Sequence, residues 1–207
     1  MIIAVDGPTA SGKGTIAKAL ARHFRLPHLD SGLLYRAVAR QVELDGGDPA
    51  NSADAEAATA FPETLLADPT LRLESTGQLA SIVSAHPGVR ARLRQRQQDF
   101  AHQPGGALLD GRDIGTVIAP DADVKLFVTA DVGVRALRRF LEMRDRGESV
   151  MLELIEDDLR IRDERDRTRP DSPLVAAPDA VLLDTSELDA EGAVAEAIRI
   201  VSERRAR

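Results

Sequence analysis

The chain has 207 residues, of which 43% are hydrophobic, and this length is sufficient for one domain with a substantial buried core. Its formal net charge of −7 gives no general attraction to nucleic acid or to an anionic membrane, and no apolar run approaches the length of a membrane span. Because the sequence contains no cysteine, disulfides and thiolate metal sites are excluded, and we expect a cytoplasmic protein.

The first predicted strand, residues 2–5, leads into a glycine-rich loop that is followed by a helical pattern. The loop reads Gly7-Pro8-Thr9-Ala10-Ser11-Gly12-Lys13-Gly14-Thr15. Such a loop surrounds phosphates with backbone N–H groups, and Lys13 can reach the terminal phosphates, so we predict a nucleoside triphosphate site. The position that usually supplies a hydroxyl to Mg²⁺ holds Gly14, and Thr15 follows one residue later, so direct metal ligation by Thr15 stays open.

Further short apolar runs occur around residues 27–29, 107–109, 124–128 and 180–183, and helical patterns separate them. This alternation predicts an α/β fold with a parallel sheet between helices, in which ligands bind beyond the carboxyl ends of the strands. The informative polar residues follow three of these runs: Asp6-Gly7, Asp30-Ser31-Gly32 and Asp110-Gly111-Arg112-Asp113.

Three helical segments are predicted outside the arginine-rich region. Ser31 can cap a helix in which Leu34, Val38 and Val42 recur every four residues. A weaker apolar stripe covers residues 89–100, and residues 190–204 are predicted to form a helix over the sheet edge. Glycines and prolines interrupt residues 46–75, which indicates a small loop-rich lobe.

All but three of the 27 basic residues are arginine, and residues 132–169 are especially rich in them. This stretch predicts two helices around Gly147. The apolar positions predicted to support the arginine-bearing faces are Val134, Leu137, Leu141, Leu154, Ile155 and Leu159. One interpretation is a solvated hairpin with ion pairs such as Asp158 with Arg162 and Asp163 with Arg167. The phosphate loop favours the other, a mobile flap whose arginines neutralise a transferring phosphoryl group.

Four segments, residues 6–15, 29–36, 110–117 and 162–169, resemble the bacterial cytidylate kinases, and the resemblance spans nearly the whole chain. It implies phosphoryl transfer from ATP to CMP or dCMP with Mg²⁺ as cofactor. The implied fold is the three-layer P-loop nucleoside monophosphate kinase fold, with a five-stranded parallel sheet. We expect a monomer that binds these small molecules and neither nucleic acid nor membrane.

The resemblance also implies how a single kinase domain, residues 1–207, is organised. The core would consist of residues 1–30, 106–134 and 171–207, the monophosphate-binding lobe of residues 31–105, and the lid of residues 135–170. The insert between Tyr35 and Ser81 is shorter than in many bacterial members of the family, and only Thr70–Glu74 is predicted to be strand-like there.

By the same resemblance, Lys13, Arg112 and Arg169 are catalytic, and Arg36 joins the two arginines on the acceptor phosphate. Asp110 resembles the acid that organises water around nucleotide-bound Mg²⁺, although it also suits a turn before a glycine. The lid arginines are not assigned individual roles.

The nucleoside would be bound by a further set of residues: Ser31, Tyr35, Ser81, Arg90, Asp113, Arg162 and Asp166. Arg162 and Asp166, with Tyr35 beside them, resemble the contacts to the sugar hydroxyls. Ser81, Arg90 and Asp113 resemble the contacts to cytosine, whose N4 amine donates to a carboxylate where uracil presents an acceptor. Asp113 could instead orient Arg112. The alternatives are another small-substrate kinase acting on UMP, dTMP or AMP, or a nucleotide-gated regulatory ATPase.

Overall fold

The fold is α/β, with a five-stranded parallel sheet flanked by helices, in a computed structural model that describes residues 1–205. This confirms the predicted fold class. The strands are β1 (Ile2–Asp6), β2 (His28–Asp30), β3 (Ala107–Gly111), β4 (Val124–Thr129) and β5 (Val181–Asp184). Their order in the sheet is β2-β3-β1-β4-β5. Residues 206 and 207 of the predicted core lie outside the described residues.

The described chain has eight α-helices, four of which lie between β2 and β3. They are α1 (Lys13–Phe24), α2 (Ser31–Leu44), α3 (Ser52–Ala57), α4 (Glu74–Val83), α5 (Pro87–Ala101), α6 (Val132–Asp145), α7 (Leu152–Thr168) and α8 (Ala190–Arg205). Within residues 1–205, no helix combines the length and the apolar character that crossing a bilayer would require.

The first of two compact units consists of residues 1–28 together with the chain from residue 101 onward. β1 is central in the sheet and pairs in parallel with both β3 and β4, so Ile3 and Val5 are completely buried. The core around them draws on α1, β4 and α8 through Ile16, Leu20, Leu126, Ala197 and Val201. The carboxyl ends of β1 and β3 meet at the register pair Asp6 and Gly111, which brings the turns after both strands to one edge.

The second unit, residues 29–100, has an apolar core of its own. Leu34, Val38 and Val42 of α2 are buried at the predicted spacing. The predicted cap by Ser31 is wrong, because Asp30 occupies the N-cap position and makes no side-chain cap hydrogen bond. β2 runs directly into α2, so the last strand residue takes the position that the sequence pattern assigned to the serine.

Residues 46–75 contain α3 and three short 3₁₀ helices. The prediction of a strand-like Thr70–Glu74 is wrong, because residues 69–72 form a 3₁₀ helix and α4 begins at Glu74. Asp68 caps that turn by accepting from the Thr70 amide at 2.8 Å, and Pro69 supplies the φ that a first helical position favours.

The arginine-rich stretch forms two helices, α6 and α7, as predicted. The burial of their side chains differs from the prediction, since Leu137 and Leu141 are each 48% exposed and Leu154 is 63% exposed. Arg135 is only 4% exposed and lies on the inner face of α6, because its Nε donates to the buried Ala130 carbonyl there. The predicted apolar support is therefore wrong for these three leucines.

Candidate active site

The loop between β1 and α1 turns tightly at two glycines. A β-carbon on Gly7 would lie 2.0 Å from the carbonyl oxygen of Val128, and Gly12 has a φ of +86° in the left-handed region. Lys13 Nζ donates to the Pro8 carbonyl at 3.3 Å, so the ammonium group contacts the loop backbone. The predicted sequence of strand, glycine-rich loop and helix is present, and it is an arrangement suited to anions.

Two arginines from distant parts of the sequence reach this loop at Thr9. Arg112 Nη2 donates to Thr9 Oγ1 at 2.6 Å, while Arg112 Nε donates to Asp166 Oδ2 at 2.5 Å. Arg135 Nη1 donates to the Thr9 carbonyl at 3.1 Å and its guanidinium group pairs with Asp163 at 2.5 Å. The turn after β3 and helices α6 and α7 are thus all tied to the phosphate loop.

Asp166 is the centre of an arginine cluster in the same unit. It is 6% exposed, and one of its oxygens lies 3.8 Å from Nη1 of Arg169, whose Nε donates to the Ser172 carbonyl. Burial alone would raise the pKa of Asp166, but the charges of Arg112, Arg169 and Arg162 hold that pKa below its usual range. The structure therefore brings together four of the predicted site residues, with more positive than negative charge.

Asp6 and Asp113 are two further buried acids in the first unit, 5% and 4% exposed. Asp6, the last residue of β1, accepts from the amides of Ile114 and Gly115 at 2.8 and 2.7 Å. The pKa of this carboxyl group is raised to about 7, mainly because burial disfavours the charged form. The two amide hydrogen bonds and the charge of Lys13 lower the pKa, and the charge of Asp113 raises it. Asp6 was not predicted as a site residue.

Asp110 lies near the end of β3, where it is 3% exposed, and its Oδ1 is 2.7 Å from His28 Nε2. Within residues 1–205 there is no group of three or more His, Cys, Asp or Glu side chains that could hold a metal. Mg²⁺ prefers oxygen ligands and usually retains several waters. One carboxylate, with the exposed Thr15 on α1, therefore fits an ion bound mostly by phosphates and water.

A cavity of about 400 Å³ lies beside the phosphate loop, in the size range of a small-molecule site. Its lining includes Ser11, Thr15, Leu141, Glu142, Thr185 and Asp189. Arg138 shapes one wall, because its guanidinium group donates to Thr185 Oγ1 at 3.0 Å, to the Thr185 carbonyl at 2.6 Å and to the Leu188 carbonyl at 3.1 Å. This arginine is thus engaged by the protein itself.

Arg36 is fixed within the second unit by backbone carbonyls. Its Nη1 donates to Leu71 at 2.8 Å and to Leu73 at 2.9 Å. A β-carbon on Gly77 would lie 2.6 Å from Arg36 Nη2, so the glycine makes room for the guanidinium group. The 3₁₀ segment that replaces the predicted strand is therefore what positions this predicted site residue.

Tyr35 and Arg90 are also brought together in the second unit. The Arg90 guanidinium carbon lies 5.6 Å from the centre of the Tyr35 ring, which is a cation–π distance. Arg90 is 3% exposed and its Nη1 donates to the Ser84 carbonyl at 3.3 Å. Ser31 and Ser81 are buried in this unit as well.

Comparison with known proteins decides the family. The family model described as cytidylate kinase matches residues 3–203. The chain belongs to the cytidylate kinase family. It is 55% identical over 207 residues to the cytidylate kinase of Rhodopseudomonas palustris strain TIE-1, covering 100% of the chain and 98% of that relative. The cytidylate kinase of Xanthobacter autotrophicus is also 55% identical, with 100% and 99% covered.

A solved structure supports the fold of this cytidylate kinase family member. The crystal structure of an uncharacterized protein from Eubacterium ventriosum superposes with a TM-score of 0.57, covering 100% of the chain and 99% of that protein. Their sequences are 15% identical, so this likeness concerns the fold alone.

Some residues that shape the site in this family member were missed by sequence reasoning. His28 belongs to none of the motifs in the sequence, but its Nε2 lies 2.7 Å from Asp110 Oδ1. The solvated-hairpin interpretation pairs Asp163 with Arg167, whereas in the structure Asp163 pairs with Arg135 and Arg167 pairs with Glu164. No local pattern distinguishes the two possible partners of Asp163, because they lie on different helices.

Proposed function

We propose that the chain is a (d)CMP kinase, which transfers the γ-phosphoryl group of ATP directly to the phosphate of CMP or dCMP. Membership of the cytidylate kinase family supports this activity. The observation that carries it is Arg112, which donates to Thr9 of the phosphate loop at 2.6 Å. A cation suited to an acceptor phosphate therefore lies beside the loop for the donor phosphates.

On the donor side, the phosphates of ATP would bind to the backbone of residues 7–15 and to Lys13. The adenosine would occupy the cavity beside the loop, whose volume of about 400 Å³ suits a nucleoside. Mg²⁺ would be held through water by Asp110, with Thr15 as a further candidate ligand, and when bound it neutralises charge on the phosphates.

On the acceptor side, Arg36, Arg112 and Arg169 would bind the phosphate of CMP. Guanidinium groups bind phosphate oxygens through paired hydrogen bonds, which fixes the acceptor in line with the donor. Lys13 and the arginines would stabilise charge on the transferring group. No general base is needed, because the attacking phosphate oxygen is already anionic.

The nucleoside would be recognised by two groups of residues. Asp166 and Arg162, with Tyr35, would bind the sugar, and Asp113, Arg90 and Ser81 would bind cytosine, with Ser31 also in the substrate site. A buried carboxylate at residue 113 would accept from the cytosine N4 amine and oppose the O4 acceptor of uracil. Such a mismatch costs about 1–3 kcal/mol, so UMP should be a poor substrate.

An ADP-release assay with ATP and each of CMP, dCMP, UMP, AMP and dTMP tests this proposal. We expect turnover that depends on the acceptor and is fastest with CMP and dCMP. Turnover with AMP or dTMP alone would refute the proposed substrate, and ATP hydrolysis that is independent of any acceptor would refute phosphoryl transfer. Light scattering tests the monomer that we also propose.

A further inference from the structure

We propose that Asp6 is a positioning residue for the acceptor substrate: its carboxylate holds the turn after β3 in the conformation that presents Arg112 and Asp113. This role rests on the proposed function, in which those two residues contact CMP. Asp6 itself would touch neither substrate. It would act through the backbone of Ile114 and Gly115, and we call these three groups the Asp6 bracket.

The bracket is a two-point attachment between distant parts of the chain. Asp6 Oδ1 accepts from the Ile114 amide at 2.8 Å, and Oδ2 accepts from the Gly115 amide at 2.7 Å. These amides start the short π-helical segment Ile114–Ile118, where backbone donors have no partner within their own helix. Because each oxygen takes one amide, the bracket fixes both the position and the rotation of the turn.

The packing leaves the turn little room to find another position. A β-carbon on Gly115 would lie 3.2 Å from Lys125 Cδ and 3.4 Å from Asp6 Oδ2, so the backbone is held close to both side chains. Arg112 and Asp113 immediately precede the bracketed amides. A shift at Ile114 would therefore move the proposed phosphate and base contacts together.

The protonation state of Asp6 decides whether its two oxygens can both accept hydrogen bonds from the amides of Ile114 and Gly115. A carboxylate offers two acceptor oxygens, whereas in the protonated acid one oxygen becomes a donor that faces a backbone N–H. The charged groups around Asp6 are Asp113 on the turn, Lys13 at the start of α1 and Lys125 on β4. The Lys125 ammonium is engaged by Asp179 at 2.8 Å. With burial as the main cause, the pKa of Asp6 is about 7, so both forms exist near neutral pH.

Asp6→Asn tests the role, because asparagine keeps the shape but supplies one acceptor and sets an NH₂ group against an amide. At about pH 8 we expect KM for CMP to rise on the order of tenfold and KM for ATP to change less than about twofold. We also expect discrimination between CMP and UMP to fall. A change in kcat alone, or equal changes in both KM values, would overturn the role.

The pH profile supplies a second readout. In the wild-type protein, kcat/KM for CMP should fall as the pH drops through about 7, and Asp6→Asn should lack that decline. CMP itself titrates near pH 6, as phosphate monoesters do, but it does so equally with both proteins. Asp123→Asn is the matched control, since Asp123 accepts from the Ile2 amide at 2.7 Å at the other end of β1 and is exposed. If kcat/KM for CMP declined below about pH 7 in Asp6→Asn just as it does in Asp123→Asn, the role of Asp6 would be overturned.

An NMR titration of the wild-type protein keeps the proposal testable if Asp6→Asn fails to fold. The amide resonances of Ile114 and Gly115 should shift with a common midpoint near pH 7. Flat resonances between about pH 5.5 and 8.5 would overturn the bracket as a titrating contact. Absence of CMP turnover by the wild-type protein would refute the proposed function instead. Normal turnover by the wild-type protein, together with an unchanged KM for CMP in Asp6→Asn, would overturn only the role of Asp6.

Discussion

The buried carboxyl group of Asp6 predicts an unusual pH dependence of stability. Its pKa is about 7 in the folded chain and 3.8 for an ordinary aspartate, so above pH 4 the folded state binds more protons than the unfolded state. Stability therefore falls as the pH rises through the folded pKa and becomes level above it. Most paired acids show the opposite sign, because their folded pKa is lowered.

The magnitude follows from the two pKa values. Between about pH 5.5 and pH 8.5, Asp6 of the folded chain passes from protonated to ionised, while an unfolded aspartate stays ionised. Integrated over this range, the difference in bound protons equals that of one whole proton over roughly 1.5 pH units, which lowers the unfolding free energy by about 2 kcal/mol. Asp6→Asn cannot titrate, so the wild-type protein should lose about 2 kcal/mol relative to this variant over that range. Taking the difference removes the contribution of every other titrating group that the two proteins share.

Urea unfolding followed by circular dichroism at several pH values measures this difference directly. Asp123→Asn serves as the control and should track the wild-type protein across the range, because its carboxylate is exposed. A difference between wild type and Asp6→Asn that stays constant to within about 0.5 kcal/mol would refute the reasoning.

Three further predictions concern the site. Lys13→Ala should lower turnover on the order of 10³-fold or more with the fold intact, while the exposed Lys18→Ala stays near wild type; near-normal turnover in the first variant would count decisively against the scheme. Gly7→Ala should abolish ATP binding in calorimetry, because its β-carbon would lie 2.0 Å from a carbonyl oxygen, whereas Gly133→Ala meets open space and should bind normally. Asp166→Asn should cost about 3 kcal/mol in urea unfolding by leaving buried arginines without their anion. That loss should be constant between about pH 6 and 8, since the lowered pKa keeps Asp166 ionised there.

The parts of the site that are formed by residues close together in the sequence could be predicted from the sequence. The phosphate loop needs only a strand, its glycines and a helix start, all within residues 2–24. The parallel sheet could be predicted for the same reason, because runs that are apolar on both faces are a local pattern.

Contacts between distant residues could not be predicted in this way. Arg135 has the same local pattern as a solvated helix residue, and only Thr9 and Asp163, far away in the sequence, explain its burial. The Asp6 bracket similarly joins residues more than 100 positions apart. The strand-like alternation at residues 70–74 was misleading because Asp68 and Pro69 favour a tight turn there.

The anchoring of Arg138 limits how α6 can move. Its three hydrogen bonds to Thr185 and Leu188 join the amino-terminal half of the helix to the segment after β5, and Thr185 Oγ1 also donates to the Ser11 carbonyl at 3.0 Å. Swinging the whole helix as a rigid rod would break all three bonds at once. A motion that preserved them would have its pivot beyond Arg138. The carboxyl-terminal half of α7 is tied down as well, since Asp163 pairs with Arg135 and Asp166 pairs with Arg112. The parts that lie outside these ties are the outer turns of α6 and the amino-terminal turns of α7.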